Sequence, residues 1–297
     1  MFRKALSACL VLSLLFSLTA CGRKAAVPSE TAQSTAAAES SAAPTVQNAF
    51  AETVIVDNES CTFKVTAIEE EAFWGYTLKA FLENKTGKEL MFTLQDVSVN
   101  GFMCDPFWAT SVTAGMKSNA DISFSASDFE RNGISQVTDI EATVKVYDAN
   151  DLTAGDVVYE HFILYPQGKE AVQPYARTAV EGEKVLFDDA NCTMIVTGFD
   201  PENTWGYTVN VYLENKTDKT LMFSIDGAAV NGFMCDPYWA VTVAPGKRSN
   251  TDISWMASDF EENGITAVDT LTLPIRVYDS NDWLAQALID ETFTVKP

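Results

Sequence analysis

The sequence predicts an all-β chain that forms two tandem β-sandwich domains, and three observations support this. The chain aligns with itself without a gap, so that Cys61 matches Cys192, 131 residues later. A long-period internal repeat of this kind is typical of duplicated modules. Apolar and polar residues alternate in segments such as 76–83, as a half-buried strand requires. Turn dipeptides such as Asn100-Gly101 separate the apolar runs, and they favour hairpins.

The first 20 residues resemble a signal peptide. Arg3 and Lys4 give a positively charged start, and the apolar stretch 5–20 follows. That stretch is shorter than the roughly 20 residues that a membrane-spanning helix needs. Residues 18–21 are Leu-Thr-Ala-Cys, which resembles the signal of bacterial lipoproteins. The resemblance implies that the Cys21 thiol is diacylated and that the chain is cut before it. An ordinary secretory signal with an incidental cysteine is the alternative.

The composition of the following segment, rich in Ala, Ser and Thr, predicts a disordered tether, because it holds few large apolar residues to bury. The expected organisation is therefore a lipoprotein signal peptide at 1–20, a tether at 21–51, a first β-sandwich repeat at 52–166, a linker at 167–183 and a second repeat at 184–297. Two acyl chains hold a protein durably on a membrane. We accordingly expect an extracytoplasmic protein, lipid-anchored to the cell membrane.

The charge balance excludes some classes of function. Lys and Arg number 20 against 41 Asp and Glu, a formal net charge of −21. A broad nucleic-acid surface needs a basic face that displaces counterions, and binding along anionic lipid needs one as well. The chain has a single histidine, which excludes a His-dependent triad or metal site repeated in both halves.

Each repeat is expected to be a small sandwich with one short helix. Ser127 is a candidate cap for a helix over 127–132, Glu130 stands at a capping-box position, and Gly133 ends it. Seven or eight short strands in about 114 residues favour an immunoglobulin-like sandwich, with a jelly roll or small barrel as the alternative. In the first repeat, strands are predicted at 76–82, 90–94, 119–124 and 140–146.

Several motifs together carry a family resemblance. Besides the Leu-Thr-Ala-Cys signal, they are WGYT, LENKT, NGFMCDP and VYDxND, and all four occur in both repeats. With these motifs the chain resembles surface lipoproteins of Gram-positive, clostridial-type anaerobes that carry repeated immunoglobulin-like domains. The resemblance implies that fold and an extracellular lipid anchor. It implies no activity and no functional residues.

One pair of cysteines remains in each repeat. Cys61 and Cys104 stand in the first, and Cys192 and Cys235 occupy the same positions in the second. An even number of cysteines in an exported protein predicts disulfides, here one within each repeat. Buried free thiols are the alternative, which an anaerobic host makes credible.

A cluster of side-chain oxygens follows one strand in each repeat. Closely spaced carboxylates and amides can surround Ca²⁺, which takes six to eight oxygens. The same residue types also form tight turns by hydrogen-bonding their own backbone. Both interpretations remain open, and no other cofactor is expected. The residues are Asp148, Asn150 and Asp151, repeated as Asp279, Asn281 and Asp282.

Two aspartates are candidates for acid catalysis. Asp105 and Asp236 each follow a cysteine and precede a proline and an aromatic residue. A carboxyl group beside large aromatic rings can have a raised pKa. With Glu71 or Asp128 as partner, Asp105 could imitate the carboxylate pair of a glycosidase. The alternative is an Asp-Pro turn with the aromatic ring packed below it.

Aromatic residues supply candidate binding patches. Tryptophans stack on sugar rings when exposed and belong to the core when buried. Phe81 and Tyr212 occupy the polar register of their strand at equivalent positions, which predicts either a partner-facing patch or a second sheet over that face. The tryptophans found in both repeats are Trp74, Trp108, Trp205 and Trp239.

These observations favour a non-catalytic, lipid-anchored surface protein with a binding, adhesion or envelope-structural role. Its expected partners are the membrane, through the anchor, and an extracellular protein or glycan. Two alternatives stay open at this point. One is a calcium-dependent adhesion module, and the other is a carbohydrate-active envelope hydrolase that uses Asp105 and Asp236.

Overall fold

The computed structural model describes residues 50–204, 206–282 and 284–297, which lie in the compact unit Gln47–Pro297. The predicted signal peptide, the lipidation site Cys21, nearly all of the predicted tether and Trp205 lie outside the described residues. Within the described part of the chain, no helix is long and apolar enough to cross a membrane.

The prediction of an all-β sandwich fold is confirmed. The first repeat contains β1 (Thr53–Asp57), β2 (Cys61–Ala72), β3 (Gly75–Asn84), β4 (Leu90–Val99), β5 (Phe102–Met103), β6 (Ala109–Val112), β7 (Lys117–Phe124), β8 (Ile140–Asp148) and β9 (Asp156–Leu164). The second contains β10 (Lys184–Asp188), β11 (Cys192–Asn203), β12 (Gly206–Asn215), β13 (Leu221–Ile225), β14 (Ala229–Val230), β15 (Phe233–Met234), β16 (Ala240–Val243), β17 (Arg248–Trp255), β18 (Leu271–Asp279) and β19 (Ile289–Val295).

Both repeats have the same topology. In the first, strands β1-β2-β3-β7 form one sheet and β5-β4-β8-β9 form the other, with β6 beside β4. The chain crosses between the sheets after β3, returns after β6 and crosses again after β7. In the second, β10-β11-β12-β17 faces the group β15-β14-β18-β13-β16, with β19 beside β18.

Alternating side chains of the two sheets fill a core in each repeat. Phe63 of β2 and Phe92 of β4 are fully buried in the first, and each such burial contributes about 1.5–3 kcal/mol. In the second, Phe223 and Trp255 are fully buried, and the Trp255 indole N–H donates to the Cys235 carbonyl at 2.8 Å. The outward positions between these residues are therefore free to form surfaces.

A short helix follows β7 and β17. Helix α1 (Ala126–Arg131) is capped by Ser125, whose hydroxyl accepts from the Ser127 amide at 3.2 Å. The cap is thus two residues earlier than the sequence suggested, because Ser127 already lies inside the helix. Helix α2 (Ala257–Asn263) begins after Met256 without a side-chain cap. Both helices lie at the same end of their sandwich.

The two repeats pack against each other. Arg248 of β17 lies parallel beside Phe102 of β5, and its backbone N–H donates to the Gly101 carbonyl at 3.0 Å. This contact joins one sheet of each repeat into a single nine-stranded sheet. The predicted linker contains a single 3-10 turn, Lys169–Ala171, and then inserts Tyr175 between Phe102 and the Arg248 guanidinium, at 5.0 Å and 4.6 Å.

Polar contacts surround this apolar seam. Lys247 pairs with Glu141, and Arg131 at the end of α1 pairs with Asp252 at 3.1 Å. Asn250 donates to the Asn132 side-chain carbonyl at 3.2 Å. The seam therefore combines a backbone bridge, a stacked aromatic residue and ion pairs from both repeats.

Candidate functional site

An Asp-Pro-aromatic-Trp turn follows the buried cysteine of each repeat, and we call residues 105–108 and 236–239 the aromatic turns. The Asp105 carboxylate accepts a hydrogen bond from the Phe107 amide at 2.8 Å. Asp236 accepts from the Tyr238 amide at 2.9 Å in the same way. Aspartate stabilises tight turns through such bonds to the backbone two residues later. The aspartates therefore fix the shape of the turns.

The third residue of each aromatic turn projects into solvent. Phe107 has φ 47° and Tyr238 has φ 49°, a left-handed conformation that costs a residue with a Cβ about 1–2 kcal/mol. The two side chains are 90% and 93% exposed. Core packing does not account for an aromatic side chain at either position. Backbone strain of this kind clusters at functional sites.

The fourth residue points inward and anchors the turn. Trp108 is half-buried and stacks on the core residue Phe63, with ring centroids 6.0 Å apart. Trp239 is 7% exposed. Trp239 therefore belongs to the core, whereas Trp108 packs on the core and also lines the groove beside its turn.

A groove of about 520 Å³ lies beside the aromatic turn of the first repeat. It runs over the outer face of β4 and β8, where Lys145 lies 5.7 Å from the Tyr147 ring and 3.4 Å from the Asp156 carboxylate. Its lining mixes ring faces with hydrogen-bonding groups, as ligand sites commonly do. The residues that line it are Thr93, Leu94, Gln95, Asp105, Phe107, Trp108, Ala109, Lys145, Tyr147, Leu152 and Asp156.

The second repeat keeps part of this lining. Arg276 and Tyr278 stand at the positions of the Lys–Tyr pair, with the guanidinium 4.7 Å from the ring. Ala287 stands where the first repeat has Asp156. The two faces share a cation, a tyrosine and an aromatic turn, but they differ in charge.

The candidate catalytic carboxylates are only partly brought together. Asp105 lines the groove, whereas Glu71 lines a separate cavity of about 440 Å³ beside α1. Burial raises the pKa of Asp128, and the negative charge of Asp105 adds to that rise. Glu71 and Asp105 therefore do not share a cleft. The other carboxylate in the groove, Asp156, has no counterpart in the second repeat.

The four described cysteines are free and buried, so the predicted disulfides are wrong. Cys61 lies opposite Asn84 in the pairing of β2 with β3, at one end of β3. Cys104 lies 3.6 Å from the Asn132 amide at the end of α1, beyond the opposite end of that strand. The ten residues of β3 span about 30 Å, far beyond disulfide reach. Burial raises the pKa of Cys61 to about 11.

The Asp- and Asn-rich segments form turns held by lysine. Asp148 accepts from the Asn150 amide at 3.0 Å and pairs with Lys88 at 2.8 Å. Asp279 makes the same two contacts in the second repeat, with the Asn281 amide at 3.0 Å and with Lys219 at 2.9 Å. In the first repeat, Asp151 accepts a hydrogen bond from the Thr153 amide. In the second, the Asp282 amide donates to the Asp279 carbonyl and ends the turn. No group of three or more metal-ligating carboxylates, histidines or cysteines occurs in the described chain. The contacts of Asp148 and Asp279 agree with the turn interpretation.

Phe81 and Tyr212 do not form a matched patch. Tyr212 is 2% exposed and packs with the core of the first repeat, under the Arg177 guanidinium at 4.8 Å. Phe81 stays partly exposed, with the Lys64 ammonium 4.9 Å from its ring. The expected symmetry fails because the second repeat uses this face to contact the first.

Trp74 is the one predicted aromatic that the described structure leaves widely open, at 74% exposure. It lies at the β2–β3 hairpin tip, edge-to-face with Phe73 at 4.8 Å. Phe107 and Tyr238 were missed as projecting residues. The repeated Asp-Pro-aromatic-Trp motif was the available signal, but the aromatic ring was expected to pack below the turn.

Comparison with known proteins adds no family. No family model matches the chain, and no curated protein matches it. A crystal structure of the YadV chaperone aligns with 74% of this chain and 92% of that chain, at 12% identity and a TM-score of 0.22. A TM-score this low carries no argument about function.

Proposed function

We propose that the protein is a non-catalytic surface binding protein whose two aromatic turns each bind a ring-containing ligand, with a glycan as the first candidate. The observation that carries the proposal is the duplicated exposed aromatic residue. Phe107 and Tyr238 are held in a costly backbone conformation and are at least nine-tenths exposed. A binding role explains why both repeats keep an aromatic side chain there.

The surroundings of Phe107 suit a sugar or a peptide with rings. Aromatic side chains present an apolar face on which a ring can stack, and the adjoining groove offers the Lys145 ammonium and the Tyr147 side chain. Two linked sites raise the apparent affinity for a repeating ligand, provided that both engage at once. A repeating polysaccharide is a ligand of that kind.

Two features support a binding role over hydrolysis. Asp105 and Asp236 each accept the backbone hydrogen bond that shapes their turn, which gives both aspartates a structural task. The groove's second carboxylate, Asp156, is replaced by Ala287 in the other repeat. The Leu-Thr-Ala-Cys sequence at 18–21 supports display of these sites from a lipid anchor.

A glycan array tests the proposal. The full chain is compared with the double variant Phe107→Ala/Tyr238→Ala and with Phe73→Ala, a matched control in which another exposed ring is 90% accessible. Loss of about 1 kcal/mol of stacking at each site lowers the affinity about fivefold per site. We expect the signal to fall in the double variant and to stay unchanged in Phe73→Ala. Equal signals from the chain and the double variant would refute the site.

A further inference from the structure

Each half of the contact between the repeats has an unused copy in the same chain. In the contact, the edge of β17 lies on the edge of β5. The counterpart of β17 is β7, which is an edge strand in the sheet β1-β2-β3-β7. The counterpart of β5 is β15, which ends the sheet of the second repeat. Within the described residues, both copies are open sheet edges.

The empty β15 edge exposes what the occupied β5 edge buries. Phe102 is 3% exposed, whereas its counterpart Phe233 is 49% exposed, and Met234 beside it is 70% exposed. A Cβ on Gly101 would lie 3.1 Å from the Arg248 side chain, but a Cβ on Gly232 would meet nothing within 4 Å. The β15 edge therefore has the shape and apolar character of a surface that binds another strand edge.

The β7 edge carries groups equivalent to those by which β17 binds the β5 edge. Lys117 stands at the position of Arg248 and keeps the same ion pair, with Glu83 at 3.3 Å where Arg248 has Glu214 at 3.2 Å. Phe81 replaces Tyr212 beneath it, and the Lys117 ammonium lies 5.9 Å from that ring. The Lys117 side chain is 61% exposed.

We propose that β15 of one copy binds β7 of a second copy, in the way that β5 binds β17 within the chain. The Lys117 amide then donates to the Gly232 carbonyl of the other copy, and Phe233 is covered. Because the two surfaces differ, the contact is head-to-tail and open-ended. It leads to strings of chains, not to a closed dimer.

Two differences make this contact weaker than the internal one. In the contact between copies, Glu262 takes the position that Arg131 has in the internal contact, so a carboxylate faces Asp121 in place of an ion pair. The Lys79 ammonium, 2.9 Å from the Asp121 carboxylate, neutralises that charge. Lys64 replaces the buried Ile195. Assembly therefore needs high local concentration, such as a crowded surface supplies.

The inference is independent of the proposed function. Phe107 remains 90% exposed although Phe102, five residues earlier, is covered by the second repeat. Occupying the equivalent β15 edge therefore leaves Tyr238 accessible. Binding through the aromatic turns and assembly through the strand edges can be tested separately.

Disulfide trapping on the full chain tests the assembly, in a Cys21→Ser background. Protein with Lys117→Cys is mixed with protein carrying Met234→Cys under mild oxidation, and products are separated on non-reducing gels. We expect a cross-linked pair from this mixture and a ladder from the double variant. As a control, Glu291→Cys replaces Met234→Cys, because Glu291 is exposed on β19, away from the β15 edge.

A charge change provides a second readout. Glu262→Arg restores the cation that stands at Arg131, and we expect about threefold more cross-linked product, as one exposed ion pair allows. Glu291→Arg makes the same charge change elsewhere and should leave the yield unchanged. Equal yields from the control mixture, a closed dimer without a ladder, or no response to Glu262→Arg would each overturn the proposal.

Discussion

Truncation of Phe102 tests the contact between the repeats. Phe102 is 3% exposed and its ring meets Tyr175 at 5.0 Å. Replacing a buried phenylalanine by alanine removes burial and leaves a cavity, which costs about 3–5 kcal/mol. For a unit of this size, each kcal/mol lowers Tm by about 2–4 °C. We therefore expect Phe102→Ala to lower Tm by at least about 6 °C.

The duplication supplies a matched control for this prediction. Phe233 occupies the equivalent position in the same motif but is 49% exposed, so Phe233→Ala should lower stability by about 1 kcal/mol or less. Differential scanning calorimetry of dilute protein compares the two variants. Equal shifts in Tm would show that Phe102 is not covered by the second repeat, and the interface described above would be wrong.

Three further predictions concern the turns and thiols. Phe107→Gly should keep Tm within about 3 °C, because relief of the left-handed strain offsets the added freedom of the unfolded chain. Ligand binding should fall in this variant, and a large loss of Tm would contradict the prediction. Lys88 holds the pKa of Asp148 below its usual value. The Asp148 carboxylate therefore stabilises the fold above the pKa that it has in the unfolded chain, and this stabilisation is lost as the pH falls through its pKa in the folded protein. We expect Asp148→Asn to flatten the fall of Tm below about pH 4, which melting curves at different pH values would show. The four described thiols are free and buried, so dithiothreitol should leave Tm unchanged. The same thiols should react with a thiol reagent only on unfolding. A drop in Tm on adding the reductant would contradict the free-thiol assignment.

The sandwich fold and its duplication were predictable because their signals are local. Alternation such as that in 76–83 follows directly from the two faces of a strand, and the offset between the repeats needs no tertiary information. The short helix was also located to within one residue. Its cap was misplaced because Ser125 and Ser127 are both acceptable caps, and only the path of the chain after β7 decides between them.

The errors came from features that depend on distances between remote residues. The cysteine pairing failed because sequence spacing does not show that Cys61 and Cys104 lie at opposite ends of a sandwich. Tyr212 was expected to match Phe81, but contact between the repeats buries only Tyr212. That asymmetry arises because, within the described residues, the second repeat uses this face to contact the first.

The aromatic turn shows how a correct motif led to a wrong orientation. An Asp-Pro turn was among the interpretations, and the Asp105 side chain does bond the Phe107 amide. The positive φ of Phe107 then sends that ring outward and leaves Trp108 to pack on the core. An aromatic residue at positive φ is uncommon, so the sequence favoured the inward arrangement.

The number of ligands bound per chain tests the central claim most directly. Isothermal titration of the full chain with a glycan identified on the array should give two binding sites, one for each aromatic turn. Phe107→Ala should leave one site at full affinity and weaken the other about fivefold, and Phe107→Ala/Tyr238→Ala should weaken both sites by that factor. An unchanged stoichiometry and affinity in the double variant would contradict the claim that these two rings bind the ligand.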